Sequence, residues 1–223
     1  MENPIQAAKE IIECYRVLQK SNGNVVGEIL GQSGEFLQWD HYPKGDVFDP
    51  ETHSQYYYHA HPPVGREIPQ EHGHFHCFLR KEGMPSNVSP LVLPNESDTN
   101  QADLSHLIAI SMDKHGFPTG LFTTNRWVTG EAWYPANDVI QMLDHFDIDH
   151  AWPSWPTNIW LTNIVKLFKK EIVTLIQDRD KTIAAWQETH PDSDVLEDRS
   201  LEITSYLSIS VEEKIDELEC VEA

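Results

Sequence analysis

The sequence predicts an α+β fold, in which an antiparallel sheet from the N-terminal half packs against C-terminal helices. Short β-prone runs separated by turn residues occupy much of the first 127 residues. From residue 135 onward the apolar residues instead recur with the period of a helix. At 223 residues, we expect one α+β domain over residues 1–190, with an acidic segment, residues 191–223, packed on it as a strand and a helix.

The N-terminal elements are predicted to be a helix and then a hairpin. An apolar stripe runs from Pro4 to about Gln19, Asn3 can cap this helix, and proline suits its first position. Val25–Leu30 and Phe36–Trp39 are β-prone runs on either side of a turn-rich tetrad, so we expect them to pair. Residues 43–52 are expected to form a loop.

The remaining elements follow from the same patterns. Residues 82–103 are rich in Pro, Ser, Asn and Asp and predict a long excursion between strands. The predicted strands are Gln55–His61, His72–Arg80, His106–Met112, Leu121–Trp127 and Leu201–Ile209. The predicted helices are Pro135–Phe146, Thr157–Gln187 (one helix or two joined ones) and Val211–Val221.

Charge and composition exclude several classes of partner. The formal net charge is −20, which disfavours nucleic acid and anionic lipid, since both require a cationic surface. No run of about 20 apolar residues and no basic-then-apolar N-terminus occurs, so neither a membrane span nor a secretory signal is expected. We therefore expect a cytoplasmic protein that acts on a small-molecule substrate. The sequence leaves the oligomeric state open.

Histidines cluster in one short part of the sequence. Five of them fall within an 18-residue window that should hold about one by chance. Side chains alternate between the two faces of a strand, so His72, His74 and His76 are expected to share a face, as are Tyr57, His59 and His61. A wide hairpin would oppose His59 to His74, Tyr57 to His76 and His61 to His72.

Opposed imidazoles on one face of a sheet are typical of a transition-metal site. Neutral imidazole is a nitrogen ligand for zinc, iron and copper, and three such ligands leave a position for water. Glu71 and Arg66 are the candidate catalytic residues. Glu71 would act as a general base for bound water or as a further ligand, and Arg66 would anchor an anionic substrate. Whether His106 joins the site stays open. The predicted metal ligands are His59, His61, His72, His74 and His76.

The sequence resembles two families, one over a short motif and the other over most of the chain. The string from His72 to Phe78 resembles the histidine-triad motif, although Gly73 replaces an apolar residue. That resemblance implies metal-free nucleotidyl hydrolysis or transfer, with His74 as nucleophile and His72 and His76 as its partners. Over most of the chain, to about Ile209, the sequence resembles an uncharacterised bacterial domain-of-unknown-function family, with the signatures YYYHAH and EHGHFH. That second resemblance implies no reaction, so a non-catalytic protein that binds a metal or a partner also stays open.

Overall fold

The strands of the described chain form one antiparallel sheet. The computed structural model describes residues 3–31, 36–61, 71–93 and 104–222. Every strand lies next to its neighbours in the sequence, so the sheet is a six-stranded meander. The strands are β1 (Tyr42–Phe48), β2 (Ser54–His59), β3 (Gly73–Arg80), β4 (Leu104–Met112), β5 (Pro118–Thr124) and β6 (Ile203–Ser208).

Most of the helices come from the C-terminal half of the chain. The helices are α1 (Pro4–Gln19), α2 (Val25–Leu30), α3 (Arg126–Thr129), α4 (Ala136–Met142), α5 (Trp155–Leu167), α6 (Lys169–Thr189) and α7 (Val211–Glu222). Helix α6 packs on β5 and β6, and α5 packs on α1 and α2. This arrangement confirms the predicted α+β class. None of the described helices has the length and apolar character needed to cross a bilayer.

The two faces of the β2–β3 pair differ in chemistry. One face carries side chains that are fully buried in the main hydrophobic core, and Phe75 on it contacts Trp160 of α5 with ring centroids 6.0 Å apart. The other face carries the histidines. The core-facing members are Tyr56, Tyr58, Phe75, Cys77 and Leu79. The sheet therefore separates the apolar core from the polar candidate site.

The predicted N-terminal hairpin is wrong. Val25–Leu30 forms α2, because the Asn24 side chain accepts hydrogen bonds from the backbone N–H groups of Val26 and Gly27 and so caps a helix. Within Phe36–Trp39 no strand forms, and Trp39 has a φ of +76°, which is not an extended conformation.

The loop prediction for residues 43–52 is also wrong in part. Residues 42–48 form β1, which pairs with β2 through Val47 opposite Tyr56. The sequence obscures this strand because it is polar, lies at the edge of the sheet and contains a register irregularity at positive-φ Gly45 and Asp46. The long C-terminal helix is two helices joined at Phe168.

The other predicted strands and helices are confirmed, with ends that shift by a few residues. The excursion predicted over residues 82–103 lies in part outside the described residues. Asn3 caps α1 with its side chain, and Pro4 occupies the first turn. In the acidic C-terminal segment, Ile203–Ser208 pairs with β5 as the last strand of the sheet. The strand predicted to run to Trp127 ends at Thr124, because Asn125 caps the short helix α3.

Gly73 holds β2 and β3 in close contact. A Cβ atom at this position would lie 2.6 Å from the His59 carbonyl oxygen and 2.6 Å from the Tyr58 hydroxyl. We expect Gly73→Ala to lower the free energy of unfolding by about 1–3 kcal/mol, because the strands must separate to admit the methyl group. Urea unfolding monitored by fluorescence measures the change.

Gly27→Ala in α2 is the matched control. Its added Cβ would meet atoms of Asn24 at ordinary contact distances of 3.6–3.7 Å. Alanine at this helical position is expected to stabilise the protein by about 0.5–1 kcal/mol. Equal effects of the two substitutions would contradict the close-approach argument.

Candidate metal centre

The β2–β3 register brings the predicted histidines together. His59 lies opposite His74 and Tyr57 lies opposite His76, as the sequence predicts. Their side chains share the face opposite to the core, because alternation places Tyr58 and Phe75 on the other side. His61 follows the end of β2 and lies near the same pair. The predicted pairing of His61 with His72 is not part of the ladder.

Three of these imidazoles form a group that could hold a metal ion. His59, His61 and His74 each offer a ring nitrogen, and these nitrogens all lie within 4.8 Å of one another. The ring centroids are 4.5–5.5 Å apart. A tetrahedral ion requires nitrogens roughly 3.3 Å apart. The three nitrogens are therefore at most about 1.5 Å farther apart than such an ion requires.

His74 is oriented by a carboxylate. Its Nδ1 lies 3.1 Å from Glu71 Oε1, and the same oxygen accepts a 2.9 Å hydrogen bond from the Ser111 hydroxyl. Ser111 lies directly opposite His74 on β4. A proton on Nδ1 directs the Nε2 lone pair away from Glu71, which is the usual arrangement of a metal-binding histidine.

His76 lies beside His74, with ring centroids 4.8 Å apart, and pairs with His106. Its Nδ1 lies 3.0 Å from His106 Nε2, and both side chains are buried. Burial lowers the pKa of His106 to about 3, so this ring is neutral at physiological pH. The structure therefore places His106 beside the site, as a neighbour of His76 rather than as a member of the three-histidine group.

Glu131 is a site neighbour that sequence reasoning missed. Its buried carboxylate accepts hydrogen bonds from the backbone N–H of His106 and, at 3.3 Å, from the Thr129 hydroxyl. Burial raises its pKa to about 7, although the hydrogen bond from His106 and the charge of Arg179 act in the opposite direction. No sequence motif links Glu131 to the histidines, since the contact depends on a turn 25 residues beyond His106.

His72 departs from the prediction that it shares a face with His74 and His76. Its Nδ1 lies 2.7 Å from the hydroxyl of Tyr58, a core-facing residue, and its ring stacks on Phe36 at 5.6 Å. The reason is that β3 begins at Gly73, so strand alternation does not extend to His72. Burial lowers the pKa of His72.

Aromatic rings surround the exposed side of the group. Trp39 contacts His61 edge-on, with ring centroids 4.4 Å apart. His41 stacks on Tyr57 at 3.6 Å and contacts His59 edge-on at 5.7 Å. His41 is therefore in contact with the histidine group. Its position depends on β1, which the sequence did not predict.

Arg66, the candidate anchor for an anionic substrate, lies outside the described residues, and its role stays a prediction. Cys77 is fully buried on the core side of the sheet, and burial raises the pKa of its thiol. It is therefore separated from the histidines by the sheet.

Comparison with known proteins identifies one family. The family model described as "Domain of unknown function (DUF6969)" matches residues 5–209. This match confirms the resemblance over most of the chain that the sequence indicated. Neither the curated proteins nor the solved structures include a match to the chain.

Glu131 gives the stability a specific pH dependence. Between pH 4.5 and about 7 the folded carboxyl group holds a proton that the unfolded chain has released, so stability falls as pH rises through this window. We expect Glu131→Gln, which mimics the protonated acid, to remove this loss. Relative to the wild type, the variant should gain on the order of 3 kcal/mol between pH 4.5 and 7.5.

Urea unfolding of both proteins across this pH range measures the effect. The opposite contribution of neutral His106 is common to both proteins, so the difference between them isolates Glu131. A difference that stays constant with pH would contradict a raised pKa at this carboxyl group.

Proposed function

The chain belongs to DUF6969, a domain of unknown function, and we propose that it is a metal-dependent enzyme whose ion is bound by His59, His61 and His74. The observation that carries the proposal is the convergence of three ring nitrogens within 4.8 Å. The donor set suits zinc, copper or iron, for which imidazole is a common ligand. Such an ion would act as a Lewis acid toward a bound water molecule or substrate.

The burial pattern supports a catalytic rather than a purely structural ion. His74 is buried, whereas His59 and His61 are half-buried and lie toward solvent. Three protein ligands leave a coordination position open, while structural zinc sites are closed by four. Trp39 and His41 contact His61 and His59, the two half-buried members of the group, so a small-molecule substrate that reached the ion from this side would meet aromatic rings.

Glu71 is proposed to act as a positioning residue for His74. Its Oε1 contacts His74 Nδ1 and is itself held by Ser111. A carboxylate in this position raises the basicity of the ligand and fixes its ring. A role for Glu71 as general base and a role for Arg66 as substrate anchor stay predictions.

The geometry disfavours metal-free nucleotidyl transfer. The histidine-triad reading needs His72 and His76 as partners of His74. His76 does lie beside His74, with ring centroids 4.8 Å apart, but His72 instead contacts Tyr58 and Phe36. One of the two partners that this chemistry requires therefore makes its contacts on the core side.

The ligand set is tested by metal content. We expect untagged protein, reconstituted and desalted, to hold about one equivalent of a transition metal by elemental analysis. His61→Ala and His74→Ala should reduce this to under about a tenth of an equivalent, because two imidazoles hold an ion weakly. His72→Gln is the matched control and should keep the metal, since His72 lies outside the group.

The outcomes separate the alternatives. Metal loss in His72→Gln but not in His61→Ala would contradict the proposed ligand set, and a wild type that takes up no metal would contradict the proposal as a whole. Metal-loaded and metal-stripped protein are then compared on ester and phosphoester panels and for oxygen consumption. Turnover that is equal in the two forms would contradict a metal-dependent enzyme.

Glu71→Gln tests the positioning role. The amide oxygen can still accept the His74 hydrogen bond but carries no charge, so we expect metal affinity to fall by about 10–100-fold. At saturating metal, the stoichiometry should remain at one equivalent. Competition with a chromophoric chelator measures the affinity. An affinity equal to that of the wild type would contradict the role assigned to Glu71.

A further inference from the structure

The histidine face continues along β2 and β3 beyond the metal centre. After the His59–His74 pair come Tyr57 opposite His76 and then Gln55 opposite Phe78. Arg80 follows Phe78 with the same alternation, so its side chain emerges on this face. The face thus presents, in order, imidazole, aromatic and cationic groups.

A cavity of about 240 Å³ lies over the aromatic and cationic part of this face. Its volume corresponds to about eight water molecules, which suits a ligand with a single ring. The stacked rings of Tyr57 and Phe78, 5.5 Å apart, form an apolar wall. The lining residues are His41, Gly45, Asp46, Gln55, Tyr57, Phe78, Arg80, Leu104 and Thr129.

Arg80 is held in place by neutral groups. Its Nε donates a 2.7 Å hydrogen bond to Gln55 Oε1, and Gln55 Nε2 in turn donates to Asp46 Oδ2 at 2.8 Å. The guanidinium carbon also lies 4.8 Å above the Phe48 ring. Among the described residues no carboxylate pairs with this cation, although the chain carries 36 acidic residues and 16 basic ones. The terminal Nη pair is therefore left with the fork geometry that binds a carboxylate.

We propose that this cavity binds a small aromatic carboxylate, with the acid group on Arg80 and the ring against Tyr57 and Phe78. One guanidinium fork matches the two oxygens of a monoanion. A phosphate dianion is disfavoured, because Asp46 lines the same cavity. The site is distinct from the three-histidine group and names a ligand class that the metal proposal does not.

The cavity lies next to the proposed metal centre, along the same face of the sheet. Gln55 lies four residues from His59, which is about 13 Å along a strand. His41 and Tyr57 line the cavity and also contact His59, with ring centroids 5.7 and 6.3 Å away. A carboxylate on Arg80 therefore directs the far end of the ligand toward the metal centre. This orientation rests on the proposed function, whereas the binding itself does not.

Calorimetric titration of the full chain with benzoate tests the inference, in metal-stripped and metal-loaded protein. We expect benzamide to bind at least tenfold more weakly than benzoate, because it lacks the charge. Arg80→Gln should weaken benzoate binding at least tenfold, and Arg80→Lys should do so in part, because lysine keeps the charge but not the fork. Arg16→Gln, at an exposed arginine of α1, is the matched control and should bind as the wild type does.

Several outcomes would overturn the inference. They are no benzoate binding up to about 10 mM, equal affinity for benzamide, tighter binding of phenyl phosphate, or unchanged benzoate affinity in a folded Arg80→Gln protein. Benzoate binding that requires metal and ignores Arg80 would place the acid group on the ion, which overturns this site and leaves the metal proposal standing. Arg80-dependent binding in a protein that takes up no metal would support this site and remove the metal proposal.

Discussion

The register of β2 against β3 is the constraint on which the candidate site depends. A slip of one residue would move every side chain of a strand to the opposite face. Such a slip would place Tyr56 and Tyr58 on the polar face and histidines in the apolar core. Both tyrosines are fully buried, and Phe75 opposite Tyr58 is buried with them. Core packing on one side of the sheet therefore fixes where His59 and His74 meet on the other side.

Burying the polar face of the sheet costs free energy, and hydrogen bonds among its side chains offset part of this cost. His74, His76, His106 and Glu131 are all 3% exposed or less. The lowered pKa of His106 and the raised pKa of Glu131 have the same origin, since burial disfavours the charged form of each. Hydrogen bonds within the set compensate in part. Buried ionisable groups stabilise a fold less than apolar groups would. We therefore expect this face to bind a ligand.

Sequence patterns were sufficient where a contact depends on alternation within a strand. The opposition of His59 to His74 follows from two short strands and one connection, so it could be predicted. The patterns gave a wrong prediction where strand propensity competes with a helix cap. They gave no prediction where a residue reaches the site only through the tertiary fold. The β-branched residues of Val25–Leu30 indicated a strand, but the cap at Asn24 starts a helix instead. His41, Ser111 and Glu131 reach the site from other elements, and no periodicity in the sequence connects them to it.

The location of the histidine group at the end of the strand pair has a mechanical consequence. His74 lies within β3, buried and fixed by Glu71, so its ring has little freedom. His61 lies beyond the last residue of β2 and is half-buried, so its ring can rotate without disturbing the ladder. The nitrogens of the group lie within 4.8 Å of one another, and an ion would hold them roughly 3.3 Å apart. Because His74 is fixed and the ring of His61 can rotate, the nitrogens can approach one another without a change in the strand register or in the core.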